Sequence, residues 1–390
     1  MILEANRLHT VKEYYFSEKL REVANLKSQG KPVINMAIGS PDLEPPIEVI
    51  QAIKNTVTLK GTHQYQSYQG IDELRKAISE FYEKKYGVSL NYASQILPLM
   101  GSKEGIMLIS LAFLNKGDKV LIPNPGYPTY TAVTELVEAQ PVYYDLSEQN
   151  SWLPNFDALE KEDLKNVKLM WVNYPHMPTG ASANEQFFKN LVAFAKKHQI
   201  LIVNDNPYSF ILNKKPLSIF NVAGAMDVAL ELNSISKTFN MAGWRVGMLL
   251  GKSQLLKTVL KVKSNMDSGM FLGIQKGAVE ALKLSNSWIE KQNKIYETRR
   301  KLVWEIFDAI QCTYSKSSSG LFVWGKIPLG LSAVSFSNEL LYQLNFFLAP
   351  GTVFGTNGKG YVRASLCIDE SEMKKILNRV KTAKNKPWKK

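Results

Sequence analysis

The sequence is poor in several things that would each have set a class. Only two cysteines, Cys312 and Cys367, occur in 390 residues, too few for a disulfide framework, so two reduced thiols in a cytoplasmic protein are expected. With only four histidines, a metal centre is not expected. No apolar run approaches the roughly 18 residues needed to span a membrane; the longest, Ile106 to Leu114, is about half that. The first residues, MILEANRLHTVKEYY, lack a basic segment followed by an apolar one, so no signal peptide is read there. There is no repeat and no low-complexity stretch, which removes solenoids and arrays.

What is present is an ordinary globular composition, 45% hydrophobic and 21% charged, with a net charge of +13. The excess is concentrated in the tail Lys374 to Lys390, where eight of seventeen residues are Lys or Arg. Elsewhere Lys and Glu are interspersed rather than gathered with stacking aromatics, so no nucleic-acid partner is expected, and no membrane.

The middle of the chain alternates short apolar runs with helical periodicity. Gln95–Met100, Lys119–Ile122, Pro141–Tyr144, Lys168–Val172, Ile200–Val203 and Val228–Leu232 read as strands, and Glu185–His198 as an amphipathic helix. This alternation implies an α/β fold whose mostly parallel central sheet is covered by helices on both faces. Such sheets bind ligands at the carboxyl ends of their strands. Beyond a helix-rich stretch ending near Lys301 the character changes to a smaller α+β unit, with strands around Gly320–Trp324 and Gly360–Ser365. Residues 45–285 are therefore expected to form the large domain. Residues 1–44, folding back beyond a proline cluster, would join 286–390 in the small one.

The most informative segment is Asn233-Ser-Ile-Ser-Lys-Thr-Phe-Asn-Met-Ala-Gly-Trp-Arg-Val-Gly247. Lys237 follows a strand end amid hydroxyls and glycines, with Arg245 eight positions later. To attack an aldehyde the Lys237 amine must be partly unprotonated, and a nearby cation lowers its pKa. Ser234 and Arg245 suit a phosphate, the arginine through two parallel hydrogen bonds. Met100-Gly-Ser-Lys-Glu-Gly105 lies between a strand and a helix, where backbone N–H groups, the Ser102 hydroxyl and the Lys103 amine make a second phosphate seat.

The pattern Ser-x-Ser-Lys-x-x-x-x-x-Gly-x-Arg-x-Gly is similar to the lysine motif of class I/II pyridoxal-phosphate (PLP) aminotransferases, the aspartate aminotransferase family of fold type I. Further matches follow in that family's order, nearest to its LL-diaminopimelate, alanine and aspartate branch. The resemblance implies PLP as cofactor, an amino acid and a 2-oxo acid as substrates, and a homodimer with shared active sites. It also distributes roles. Lys237 would carry the cofactor and move protons. Ser102, Lys103, Ser234 and Arg245 would grip its phosphate. Tyr127, in Pro123-Asn-Pro-Gly-Tyr-Pro-Thr-Tyr130, resembles the ring stacked on the pyridine. Asp205, in Asn204-Asp-Asn-Pro-Tyr208, would pair with the pyridine nitrogen, since a carboxylate at a strand end would be costly if merely buried. Tyr208 would donate to the ring oxygen. Arg363, in Gly360-Tyr-Val-Arg-Ala-Ser365, resembles the clamp on the substrate carboxylate, with Gly39 offering its backbone and Tyr14 facing the substrate. Tyr65 would reach the partner's phosphate, and Asn265 lies in a second segment lent across the interface. Lys103 and Asp267 are candidates for reading the substrate side chain.

One position departs from the pattern. Where the family reads Asn-Pro-Thr-Gly, this chain has His176-Met-Pro-Thr-Gly180, so Met177 replaces an asparagine that donates to the cofactor's ring oxygen. A thioether cannot donate. His176 from next door, or Tyr208 alone, would have to compensate. Two other readings share the cofactor residues: a carbon–sulfur β-lyase, and a PLP-binding regulatory module. The second needs an N-terminal DNA-binding unit, and the first 40 or so residues carry no helix-turn-helix pattern.

Overall fold

The computed structural model describes residues 2–11, 13, 15–384, 386 and 388. In chain order, α1 (Tyr15–Ser28), β1 (Ile34–Asn35), α2 (Ile47–Val57) and α3 (Asp72–Tyr86) come first. β2 (Ile96–Leu99), α4 (Ser102–Phe113), β3 (Lys119–Asn124), α5 (Pro128–Leu136) and β4 (Gln140–Asp145) follow. Next come α6 (Phe156–Leu159), β5 (Val167–Val172), α7 (Glu185–His198), β6 (Leu201–Asp205), β7 (Ala229–Ser234), α8 (Ile235–Thr238) and β8 (Gly247–Gly251). Three helices, α9 (Ser253–Lys263), α10 (Leu272–Lys283) and α11 (Asn286–Ala309), lead to the C-terminal part. There β9 (Thr313–Tyr314), β10 (Phe322–Lys326), α12 (Ala333–Leu344), β11 (Phe346–Phe347), β12 (Ala349–Pro350), β13 (Tyr361–Ser365) and α13 (Glu370–Thr382) complete the chain.

The central sheet has seven strands in the order β2-β8-β7-β6-β5-β3-β4. Every neighbouring pair from β7 to β4 is parallel, and β8 runs antiparallel to both β7 and β2. All six residues of β7 are buried, as a strand covered on both faces requires. The covering helices obey the expected periodicity. In α7 the buried residues are Phe187, Phe188, Leu191, Val192, Phe194 and Ala195, and the Asn184 side chain caps the helix by accepting from Phe187 N.

The six strands read from the sequence are all present, with ends moved by one or two residues. β6 and β7 run two residues further than expected, which makes Asp205 and Ser234 the last residues of their strands. β8 was not anticipated, although Gly247-Met-Leu-Leu-Gly251 is an apolar run bounded by glycines.

The C-terminal part carries a four-stranded sheet, β12-β13-β10-β9. The N-terminal segment does fold back onto it: β1 pairs in parallel with β11, Ile34 opposite Phe346. Phe16 and Val23 of α1 are buried in the same apolar core as Tyr296, Phe336, Leu340 and Ile376. Both cysteines are free and buried. Among the described residues no helix is long and apolar enough to cross a membrane, and no cluster of His, Cys, Asp and Glu could hold a metal ion.

Candidate active site

The carboxyl ends of β3, β5, β6 and β7 point to one cavity of about 610 Å³, with the loop after β1 and strand β13 on the opposite wall. Asp205 ends β6, and Lys237 sits two residues into the short helix that follows β7. Tyr127 lies in the turn after β3, at the N-cap of α5, with Pro128 as the first helical residue. The cavity brings together Ser102, Lys103, Tyr127, Asp205, Tyr208, Ser234, Lys237, Arg245, Gly39 and Arg363.

The Lys237 Nζ donates to Gly39 O at 2.7 Å. Burial holds this amine below the usual lysine range, and Arg245 and Arg363 add to that while Cys367 opposes it. The sequence argument named a nearby cation as the cause; in the structure desolvation is the larger one. Gly39 can lie there because a Cβ would meet the Phe322 ring at 2.2 Å.

Asp205 is almost wholly buried, at 4% exposure, and burial pushes its carboxyl up to about 7 despite the hydrogen bond from Tyr130. Its Oδ2 accepts from the Tyr130 hydroxyl at 2.8 Å. Its Oδ1 has no partner among the described residues. A buried carboxylate oxygen left unpaired marks a place built for a donor that the chain itself does not supply.

The opposite end of the cavity is basic. Gly101, at φ 90°, caps α4, and a Cβ there would collide with the Arg245 guanidinium. A Cβ on Gly247 would meet Gly101 C and Ser102 N at 2.7 Å, so this last glycine of the lysine motif lets the first turn of α4 press against β8. Met100 N donates to Glu104 Oε2 at 2.6 Å, fixing the turn. The start of α4, with the Ser102 hydroxyl, Lys103 and Arg245 lining this end of the cavity, has the chemistry of an anion seat.

The sequence model of aminotransferase class I and II matches residues 31–380. The chain belongs to the class I/II aminotransferases. The LL-diaminopimelate aminotransferase of Maridesulfovibrio salexigens is 38% identical over 379 residues, covering 96% of this chain and 98% of that protein. The LL-diaminopimelate aminotransferase of Aquifex aeolicus is 36% identical, covering 97% and 99%. Among solved structures, apo-BacF of Bacillus subtilis superposes with a TM-score of 0.95 at 31% identity, covering 99% of each chain. An aspartate aminotransferase of Thermus thermophilus with maleate, at 24% identity and a TM-score of 0.90, shares the fold. This aminotransferase has fold type I and depends on PLP.

The residues present fit that cofactor. An anion seat at a helix start, a carboxylate with an unpaired oxygen at a strand end, and a desolvated lysine between them match its phosphate, its pyridine nitrogen and its aldehyde.

Not every expected residue meets there. Tyr65 is 89% exposed and away from the cavity of its own chain. Asn265 is exposed too, its side chain donating to Lys261 O. Tyr14 lies outside the described residues. Asp267 is buried and paired with Lys263 at 2.7 Å, so it does not face the cavity. His176 is buried with its Nδ1 2.8 Å from Thr179 Oγ1, is not part of the lining, and is pushed down to about 3 by burial. It therefore does not take over from Met177, which does line the cavity.

Asn173 and Tyr130 are among the lining residues that the sequence did not reveal. Asn173, just past β5, accepts from Met177 N at 2.8 Å and donates to the Asp205 carbonyl. Tyr130 stacks on Trp171 at 4.8 Å and 5° while holding Asp205. Asn173 could have been found as the residue ending a buried strand, in the same place as Asp205; Tyr130 carried no signal beyond its place in an aromatic loop.

Proposed function

We propose that the cavity is the site of amino transfer between an L-amino acid and a 2-oxo acid, with 2-oxoglutarate and glutamate as one of the two pairs. The observation that carries this is that one cavity is lined by Lys237, Asp205, Arg245 and Arg363 together. Bound PLP supplies an electron sink for the charge left when a substrate loses its α-proton. Every other task falls to the chain.

Ser102, Lys103, Ser234 and Arg245 would hold the phosphate, and Tyr127 would lie over the ring. Asp205 would keep the pyridine nitrogen protonated through its unpaired Oδ1, and Tyr208 would donate to the ring oxygen. Arg363 holds the substrate α-carboxylate with its planar fork, and Gly39 O faces the amine. Lys237 Nζ would remove the substrate's α-proton and redeliver it, as general base and acid. Its depressed pKa favours the neutral form that this requires.

We also place the enzyme as a homodimer. Tyr65, Tyr68 and Met266 are exposed at 89%, 44% and 61%, and a second copy covering them would bring Tyr65 to the neighbour's phosphate and Asn265 towards its substrate. The division into residues 45–285, holding the cofactor, and 1–44 with 286–390, carrying Gly39 and Arg363, fits these roles.

The test is a donor screen on PLP-loaded protein with 2-oxoglutarate as acceptor, reading glutamate, with pyruvate and ammonia assayed alongside. Glutamate formed in step with donor loss is the expected outcome. Pyruvate and ammonia without glutamate would replace transfer by elimination.

A further inference from the structure

Asn240 stands three residues beyond Lys237, between α8 and β8, and is buried at 8% exposure. Its backbone is left-handed, at φ 54°. Glycine adopts that conformation without steric cost, so the value of an asparagine here lies in what its side chain binds. The Nδ2 group donates to the Glu44 carbonyl and to Gln292 Oε1, both at 3.1 Å. The Tyr296 hydroxyl donates to Asn240 Oδ1 at 3.5 Å. Asn240 is not part of the cavity lining, so none of the chemistry proposed above uses it.

These bonds join three parts of the chain. Glu44 belongs to residues 36–46, the connection from β1 to α2 that also carries Gly39. Gln292 and Tyr296 lie one turn apart on α11 and share a face of it. The same face holds Trp288, whose indole donates to Thr238 O at 3.2 Å, and Arg299, which grips Asp42. Helix α11 thus lies along the lysine segment at Thr238 and Asn240, and along the Gly39 connection at Asp42. The Asn240 side chain crosses directly from one to the other. A second crossing runs between the same two segments, where Lys237 Nζ donates to Gly39 O at 2.7 Å. With the two crossings so close along both segments, the outer one fixes the register of the inner.

We propose that Asn240 is a positioning residue for the Lys237 amine, holding the Gly39 carbonyl against it from outside the cavity. The inference rests on the proton-transfer role given to Lys237 in the preceding section. By accepting one Nζ hydrogen, Gly39 O limits how the nitrogen can turn towards a substrate. Without the Asn240 side chain, the connection keeps its anchor at Asp42 but loses its outer tie to the lysine segment. Amine and carbonyl then no longer hold one relative placement. A reacting group displaced by about 1 Å can lose on the order of 100-fold in rate.

The experiment follows the absorbance of bound cofactor after rapid mixing of PLP-loaded protein with L-glutamate or its α-deuterated form. The rate constant of this half-reaction is independent of the fraction of protein that is folded, which sets only the amplitude. Asn240→Gly keeps the left-handed backbone and should lower the rate constant at saturating glutamate at least ~10-fold. The half-saturating concentration should change little, and the slowed step should carry a deuterium isotope effect. A wild-type rate constant in Asn240→Gly, or a slowed step without an isotope effect, overturns the inference and leaves the transferase reading intact. Wild-type protein whose bound cofactor does not respond to glutamate overturns that reading and the inference with it. Should Asn240→Gly fail to fold, Gln292→Met decides instead. It keeps an unbranched side chain of similar length while removing one acceptor that orients the Asn240 amide. The same isotope-sensitive slowing is expected there, and a wild-type rate constant overturns the inference.

Discussion

Arg363 Nη1 donates to the sulfur of Met177 across 3.1 Å. The proposed carboxylate clamp is thus steadied by the residue that departs from the family pattern, and by the Ala37 carbonyl, which accepts from Nη2. A thioether accepts weakly and releases the guanidinium readily to a charged carboxylate.

On the proposed placement the same substitution would deprive the cofactor's ring oxygen of a donor, because His176 is turned to Thr179 and Met177 has no hydrogen to give. A hydrogen bond to a charged group contributes roughly 1.5–3 kcal/mol, which corresponds to about one to two pH units. The bound cofactor's absorbance should titrate at higher pH in wild type than in Met177→Asn by about one unit. Coincident curves would sink the idea.

Loss of Lys237 removes the base and the attachment point together. Lys237→Ala should reduce turnover at least ~10³-fold while the protein still binds PLP, as seen by cofactor retention on a sizing column. A variant keeping a tenth of wild-type turnover would contradict the assignment.

Arg363→Lys keeps the charge but loses the fork. Breaking a buried charge-assisted pair costs about 2–5 kcal/mol, so kcat/KM for every amino donor should fall by roughly 30-fold or more, with the melting temperature little changed. Equal kcat/KM in the two proteins would move the carboxylate elsewhere.

Asp205 gives a pH-dependent prediction. Its folded carboxyl titrates near 7, above the unfolded value of 3.8, so between those limits the folded state binds more protons than the unfolded one. Its contribution therefore becomes less favourable as pH rises from about 4 to 7, and is constant above. Cofactor-free Asp205→Asn should accordingly gain stability over wild type across that window, by roughly 2–4 kcal/mol at pH 8, while losing activity once PLP is supplied. Parallel urea-denaturation curves for wild type and variant at all pH values would reject this reading.

Arg299 tests the fold rather than the chemistry. Its side chain, 2% exposed, binds both oxygens of Asp42 at 2.6 and 2.9 Å and Glu370 at 2.8 Å, tying the loop that carries Gly39 to α11 and α13. Arg299→Ala leaves two carboxylates without their partner and should cost about 3–5 kcal/mol in urea unfolding.

Much of the site could be read from the chain because its residues cluster at strand ends. Lys237, Asp205, Tyr127 and Ser102 each follow a run of apolar residues closely, and a parallel sheet collects such positions along one edge. Phe16, Leu20, Tyr130 and Asn173 were not legible in the same way. An apolar residue on a helix reads as core whether it faces other side chains or a cavity, and nothing in α1 shows that it packs beside strands some 300 residues later. Arg299 was likewise silent, since its partners at 42 and 370 are joined only by folding.

The sequence by itself determined the α/β class, the lysine motif and the set of groups able to hold a phosphate, a pyridine ring and a carboxylate, because local periodicity and motif spacing survive without a third dimension. Only the tertiary structure decided what surrounds them. The rings packed on Arg363, the commitment of Asp267 to Lys263 and of His176 to Thr179, and the unpaired oxygen of Asp205 all depend on which distant segments meet. Desolvation and pairing belong to an environment, and an environment exists only once the chain has closed around it.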